Sequence, residues 1–376
     1  MLTRADLEKR EYDILAPYAV KAAESAGRDR AEKPHAYRTC FQRDRDRIVH
    51  CSSFRRLEYK TQVFVNHEGD NYRTRLTHTM EVAQIARSIA RTMRLNEDFA
   101  EALALAHDLG HTPFGHAGED ALNGIMAADG GFEHNRQSRR IVTVLENNFH
   151  GLNLTREVTD SIIKHRTPYD QAGPGSPGAI LETQVVNLAD EISYNCHDLD
   201  DGIAAGILDV IGLEGLALWR MAAERVRAEY PDLEGRWHTK RAIVEVLNLY
   251  VTDLIETSER AITKAGIVSV EAVRRAPADL VGFSSVMTGH NARLQEFLRD
   301  NLYRHSRINR MSHKARRFIR EIFAEYELHP ESLPEDYQAW ARRPGVGLRR
   351  AIADYTAGMT DRYAQEEYLR LFEPYK

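Results

Sequence analysis

The feature that most limits what this chain can fold into is a three-and-four spacing of apolar residues that returns along most of its length. In TMEVAQIARSIARTMRL (79–95), Val82, Ile85, Ile89 and Met93 fall on one helix face. The next segment repeats the pattern: Asn96 stands as N-cap, followed by Phe99, Ala102, Leu103, Ala106 and Leu109, with Gly110 ending or weakening the helix. Segments 136–147, 155–165, 179–199, 212–229, 239–264, 289–303 and 312–328 carry similar spacing. No run of alternating β-branched residues is long enough for a substantial sheet, and VFV at 63–65 makes a short strand at most. The spacing predicts an all-α fold.

With 376 residues, 43% of them hydrophobic, the chain can bury a large core in one big domain or two coupled ones. DQAGPGSPG (170–178) reads as an exposed loop, a lid or a connection, because residues with chemistry lie on both sides of it. A softer boundary falls near 201–211, and LHPESLPED (328–336) breaks the C-terminal region. The expected division is an N-terminal basic, helical segment (1–60) packed on a core (61–205), followed by a C-terminal helical region (206–376). No apolar signal region opens the chain, and nothing approaches the roughly 20 apolar residues of a membrane span. Cys40, Cys51 and Cys196 share no CxxC spacing, so neither a disulfide framework nor a zinc ribbon is indicated, and the expected compartment is the cytoplasm.

Net charge is −5, yet residues 28–75 hold twelve Lys/Arg against seven Asp/Glu. That segment can face a polyanion, or Arg43, Arg45 and Arg47 can pair with the interleaved Asp44 and Asp46 in a solvated stretch. A second basic run, RHSRINRMSHKARR (304–317), allows the same two readings.

The chemistry concentrates in HDLGHTPFGHAGED (107–120). A lone His-Asp pair is a weak signal, and the chain has two, His107-Asp108 and His197-Asp198. The first ends an amphipathic helix, and His111 follows at i+4, which on a continued helix turns both rings to one side. His78 starts the preceding helix, and Asp190 sits among Val186, Leu188 and Ile192 on a third. A carboxylate in that setting is costly to bury unless it is paired or metal-bound. His78, His107, Asp108 and Asp190 therefore form a candidate metal set. Two imidazoles and two carboxylates suit Mn, Fe, Co, Ni or Mg better than a closed structural zinc site.

The order His78, His107-Asp108, Asp190 resembles the HD superfamily of metal-dependent phosphohydrolases. Longer blocks narrow the likeness: FQRDRDRIVHCSSFRRLEYKTQVF (41–64), RTRLTHTMEVAQIAR (73–87), HDLGHTPFGHAGE (107–119), FEHNRQSRRI (132–141), EISYNCHDLDDGI (191–203) and ADYTAGMTDRYA (353–364). These are similar to the deoxyguanosinetriphosphate triphosphohydrolase branch, dGTPase-like enzymes, over almost the whole chain. The resemblance implies an HD helical bundle with additional C-terminal helices that close the pocket and make oligomer contacts. It implies that water activated by a divalent metal attacks the α-phosphorus of a dNTP, releasing deoxynucleoside and inorganic tripolyphosphate.

Residue by residue, the resemblance assigns the metal to His78, His107, Asp108 and Asp190. It makes His116 the general acid for the leaving 5′-oxygen and Glu119 the carboxylate that orients it. His111 and His134 match positions that contact the α-phosphate. Arg75 matches a triphosphate-binding arginine, Gln62 and Asp198 match residues that meet the 3′-hydroxyl, and Tyr194 matches a tyrosine packed on the ribose, where it would crowd a 2′-hydroxyl. Arg45, Arg47, Arg55 and Arg56 either bridge subunits, line a second nucleotide site for a dNTP activator, or pair at the surface. Expected partners are a dNTP, single-stranded DNA for the basic run, and copies of the chain in a hexamer or tetramer; no membrane is expected. Asp120 receives no role, and no residue is assigned to the base. The rival readings are an HD nucleotidase or phosphodiesterase of other specificity, and a dNTP-sensing or single-strand-binding protein whose metal is structural.

Overall fold

A computed structural model describes residues 1–63, 72–163 and 178–374 of the chain. Among them there is no strand, only two isolated bridges, Arg28 with Thr155 and Thr61 with Thr74, so the fold is all-α as expected. Helices α1 (Arg4–Ile14) and α2 (Cys40–His50) each start on a capping box, Thr3 with Asp6 and Thr39 with Gln42, in which paired side chains satisfy backbone N–H groups that the first turn leaves free. Helix α3 (Arg75–Thr92) starts on the Thr74 cap, ahead of the apolar spacing that begins at Val82. Helix α4 (Glu97–Ala106) is capped by Asn96, whose side chain accepts the Phe99 N–H as the sequence suggests. Val82, Ile85, Ile89, Phe99 and Leu103 are all buried.

Short helices α5 (His116–Ile125), α6 (His134–Arg140) and α7 (Arg156–Ile162) follow. The segment expected as one helix over 136–147 passes after α6 through a π-helical turn, Ile141–Leu145, and then breaks where Asn147, Asn148 and Phe149 all take positive φ. The long α8 (Leu181–Ala204) lies against α3 and α4, and α9 (Ala217–Glu229) packs with α10 (Gly235–Lys264), which returns to α8. Helix α11 (Ser285–Leu298) runs into a π-helical turn, Arg299–Tyr303, before α12 (Ser306–Leu328). The last three, α13 (Glu335–Ala341), α14 (Leu348–Gly358) and α15 (Asp361–Phe372), complete the chain. The 170–178 loop, apart from Gly178, and the 63–65 strand, apart from Val63, lie outside the described residues.

Two apolar clusters hold these helices. The first gathers α2, α3, α4 and α8 to α11 around residues such as Phe41, Leu103, Val186 and Leu298. The second joins α5 to the later half of α12 and to α14 and α15 through Leu122, Met126, Ile319, Phe323 and Ile352. Each such side chain, fully buried, is worth about 1.5–3 kcal/mol. Helix α5 thus belongs to a different packing unit from α4, although only nine residues, 107–115, separate them. Among the described residues no helix is long and apolar enough to cross a membrane.

Candidate active site

Helix α4 stops at Ala106, four residues before the Gly110 expected to end or weaken it. The reason is a competition for backbone groups. Ser138 on α6 donates its hydroxyl to the His107 carbonyl at 2.7 Å and accepts the Gly110 N–H at 2.8 Å, while the His111 N–H turns to the Asp108 carbonyl at 3.2 Å. Gly110 makes that approach possible, since a Cβ there would lie 2.2 Å from the His134 carbonyl oxygen and from the Ser138 nitrogen. The i+4 argument that puts His107 and His111 on one continuous helix face therefore fails, yet the turn still aims both at one place. His111 Nε2 lies 3.1 Å from Asp108 Oδ1.

His78 on α3, His107 after α4 and Asp190 on α8 present ligand atoms within 4.8 Å of one another, and all three are buried. His78 Nε2 is 2.9 Å from Asp190 Oδ1. The His107 Nδ1 bonds to the Ala104 carbonyl, which can only accept, so the proton is on Nδ1 and Nε2 faces the cluster. Asp108 completes the set from the side, its Oδ1 3.3 Å from His107 Nε2 and its Oδ2 4.0 Å from His78 Nε2. Arg75 Nη1 donates to Asp108 Oδ2 at 2.8 Å, while its Nε makes no hydrogen bond among the described residues. Burial would strip the His107 ring of its proton, but Asp108 and Asp190 outweigh it and raise the pKa to about 9. Asp108 is held well below the usual carboxylate range: burial opposes this, and His107, Arg75 and His111 prevail. Two buried carboxylates that draw positive charge onto a shared imidazole are what a divalent cation site asks for, and the mixed N/O donors fit such an ion.

A second group, His111, Glu119 and His134, also brings its donor atoms together. Its geometry argues against an ion. His111 and His134 stack with centroids 4.1 Å apart and planes at 13°, so their in-plane lone pairs run in parallel sheets and cannot converge. The His78 and His107 rings stand at 61°. Glu119 binds this second group instead: Oε1 accepts from the His134 backbone N–H at 2.8 Å and meets its Nδ1 at 2.9 Å, while Oε2 lies 3.6 Å from His116 Nδ1 and 3.9 Å from His111 Nδ1. Burial would raise the Glu119 pKa, but His134, His116 and His111 together hold it well below the usual range. His111 is itself held neutral, its pKa far below normal because of burial and the adjacent Arg75 and His134.

His116 starts α5 after a Thr-Pro-Phe-Gly turn closed by the Thr112 hydroxyl on the Gly115 carbonyl at 2.9 Å. Gly115 has φ +59° and ψ −138°, a conformation that side chains resist, and a Cβ there would press within 3.3 Å of Arg75 Nη2. Two distant residues pin the turn. Asp361, at the start of α15, accepts the Phe114 N–H at 2.8 Å and the Thr61 N–H at 2.9 Å. The buried Lys60 ammonium donates to the carbonyls of His111 and, at 2.9 Å, Ala357.

These groups face a cleft of about 510 Å³ at the boundary of the two apolar clusters. Arg75, His78, Asp108, His111, His116, His134, Asp190, Gln62, Tyr194 and Asp198 all reach it, whereas His107 and Glu119 stand behind its surface. Gln62 Oε1 is buried with no hydrogen bond among the described residues. The Tyr194 hydroxyl accepts from Gln295 at 2.8 Å. Asp198 accepts from the Tyr303 hydroxyl, and burial pushes its pKa up to about 7.

Arg316, from the basic run 304–317, lines the cleft beside Tyr303 and Arg299, to which the sequence reading gives no role; it gives none to Lys60 or Asp361 either. Tyr303, Arg299, Lys60 and Asp361 have no local spacing that marks a role. Asp120, left without a role, pairs with Arg316 at 2.8 Å. In the basic run, Arg304 pairs with Asp300 at 2.9 Å and Arg317 lies 3.8 Å from Glu321. In the earlier one, Arg45 meets Asp98 and Glu101, Arg47 meets Glu32, Arg55 donates to the His50 carbonyl, and Arg56 donates to the Gly358 carbonyl.

Residues 75–195 match the HD domain, which contains all four candidate ligands, and residues 281–370 match a phosphohydrolase-associated domain, which contains Tyr303, Arg316 and Asp361. The chain is 51% identical to a deoxyguanosinetriphosphate triphosphohydrolase-like protein of Ralstonia nicotianae, with 99% of each chain covered. It is 48% identical to proteins of the same description from Geobacter sulfurreducens, over 100% of both chains, and Geobacter metallireducens, over 97% of both.

Proposed function

The chain belongs to the HD-domain family of deoxyguanosinetriphosphate triphosphohydrolase-like proteins, and we propose that it is a metal-dependent triphosphohydrolase of deoxynucleoside triphosphates. The observation that carries this reading is a single cleft in which a buried His/Asp cluster faces a separate imidazole and carboxylate group on another helix. A divalent cation held by His78, His107, Asp108 and Asp190 would polarise an α-phosphate oxygen and lower the pKa of an adjacent water. The water oxygen bonds to the α-phosphorus, the bond from that phosphorus to the 5′-oxygen breaks, and a proton must reach the 5′-oxygen as it departs. His116 supplies that proton, its ring steadied by Glu119, and because it rides on α5 it is held by an element separate from the ligands. His111 and His134 face the phosphate oxygens where charge builds, and Arg75, with Nε uncommitted, takes a triphosphate oxygen.

For the sugar, Gln62 and Asp198 are assigned the 3′-hydroxyl and Tyr194 the ribose face, where its ring leaves no room for a 2′-hydroxyl. The products are then deoxynucleoside and intact tripolyphosphate. The deciding experiment incubates the protein with each dNTP and NTP in Mg, Mn and Co, with and without a second dNTP as activator, and separates the products by chromatography. Tripolyphosphate in equal amount to deoxynucleoside is expected, with no pyrophosphate. Orthophosphate from a deoxynucleoside monophosphate would move the protein to the nucleotidases, and inactivity toward every triphosphate would move it to the binding proteins.

A further inference from the structure

Glu81 follows His78 by three residues on α3, and His197 follows Asp190 by seven on α8, so each shares a helix face with a candidate ligand. His197 Nδ1 lies 3.2 Å from His78 Nδ1, with the two rings edge-on at 85°. The other His197 nitrogen, Nε2, is 2.7 Å from Glu81 Oε2 and 3.3 Å from the Ser193 hydroxyl. Arg73 holds the same carboxylate, its Nε donating to Glu81 Oε2 at 3.1 Å.

We infer that Glu81 and His197 are positioning residues, a relay that fixes the tautomer and the ring plane of His78 for the cation. The proton assignment follows from what each nitrogen meets. His78 Nε2 faces Asp190 and the cluster, so to offer a lone pair there it must carry its proton on Nδ1. His197 Nδ1 then accepts that proton's hydrogen bond, which leaves His197 protonated on Nε2 and donating to Glu81. Every N–H in this arrangement has an acceptor. The reverse arrangement puts a proton on His78 Nε2, where the cation belongs. Partners one step behind a ligand commonly set its affinity for metal by about 10- to 100-fold.

Glu81 makes the relay testable, because it does not line the substrate cleft. It opens instead to a separate cavity of about 520 Å³ with His197, Arg73, Lys240 and Trp237. A substitution at Glu81 therefore removes no contact to a molecule in the cleft, and its shortest path to the metal runs through His197 and His78.

The inference rests on His78 being a metal ligand, and the test is chosen to separate the two ideas. Mn(II) binding to the metal-free, folded protein is measured by calorimetry, together with the visible spectrum of the Co(II) form and the far-UV circular dichroism of each variant. Glu81→Gln is expected to weaken Mn(II) binding about tenfold, and His197→Phe by up to about 100-fold. His197→Gln, whose amide can still accept from His78 and donate onward, should recover part of the loss. Lys240→Ala, beside the same cavity but outside the relay, should bind like the parent. With Mn(II) at saturation the KM for a dNTP should stay within about twofold and kcat should return. Should the His197 variants not fold, Glu81→Gln decides alone, since that side chain is 43% exposed and the change keeps its size. Parent-like Mn(II) affinity in Glu81→Gln overturns the relay while leaving the metal centre intact. A parent protein that binds no Mn(II) overturns the metal centre itself.

Discussion

The two walls of the cleft are built on opposite plans. On the wall formed by α3, the turn after α4, and α8, the candidate ligands are at most 5% exposed and belong to helices packed in the first apolar cluster. Each ligand leans on another. On the wall formed by α5 and α12, in the second cluster, the His116 side chain is 58% exposed and Arg316 pairs with Asp120 at the surface. A buried charge network needs a whole core to offset its desolvation, whereas a group that hands a proton to a departing oxygen needs room to meet it. The division of labour thus follows the division of packing, with the Thr-Pro-Phe-Gly turn as the join.

If the walls are separable, their variants should fail differently. His107→Ala removes a ligand and should abolish Mn(II) binding and turnover together; parent-rate hydrolysis by a variant shown to be metal-free would end the assignment. His116→Ala should keep Mn(II) affinity and lose about 100- to 10,000-fold in kcat, the range a general acid supplies. Turnover left intact alongside weakened phosphate affinity would demote His116 to a binding group. A smaller effect comes from Tyr303, which reaches across from the C-terminal helices to Asp198. Tyr303→Phe removes about 1 kcal/mol of hydrogen bonding, roughly a fivefold rise in KM, with kcat nearly unchanged. Equal losses with a 3′-deoxy substrate and with the normal one would show that Asp198 does not read the 3′-hydroxyl.

The same contrast explains what could be read in the sequence. The ligand wall is made of local pattern: apolar spacing that orients α3 and α4, an Asn at a helix start, and a carboxylate at Asp190 with apolar residues around it. His197 was within reach of the same reasoning, since a second His-Asp pair seven residues after Asp190 must share its helix face. The opposite wall depends on pairs far apart in the chain. Asp361 reaches Phe114 across 247 positions, and Lys60 reaches Ala357 across 297. Nothing local marks such residues, because what selects them is an unsatisfied backbone group elsewhere. The end of α4 falls short of Gly110 for a related reason: the apolar pattern runs to Leu109, but Ser138 competes for the carbonyl and N–H that would carry the helix that far.

The smallest expected effect on turnover lies deepest in the first cluster, and it tests whether that wall is supported from behind. Glu182 on α8 accepts the backbone N–H groups of Val20 at 2.9 Å and Asn96 at 3.1 Å, and Asn96 caps the helix that delivers His107. Burial, the largest influence on Glu182, outweighs those hydrogen bonds and raises its pKa from 4.5 to about 7. The folded chain therefore holds this proton more tightly than the unfolded one. The stability gained is complete below the unfolded value of about 4.5 and is lost as pH rises through 7, a span worth about 3 kcal/mol at most. Glu182→Gln keeps an oxygen to accept both N–H groups but removes the titration. Denaturant midpoints measured from pH 5 to pH 8 should consequently fall less steeply in the variant than in the parent, while kcat at saturating Mn(II) stays the same. A parent and variant with identical slopes would mean that Glu182 is hydrated in solution, and that the support behind the ligand wall is looser than its burial implies.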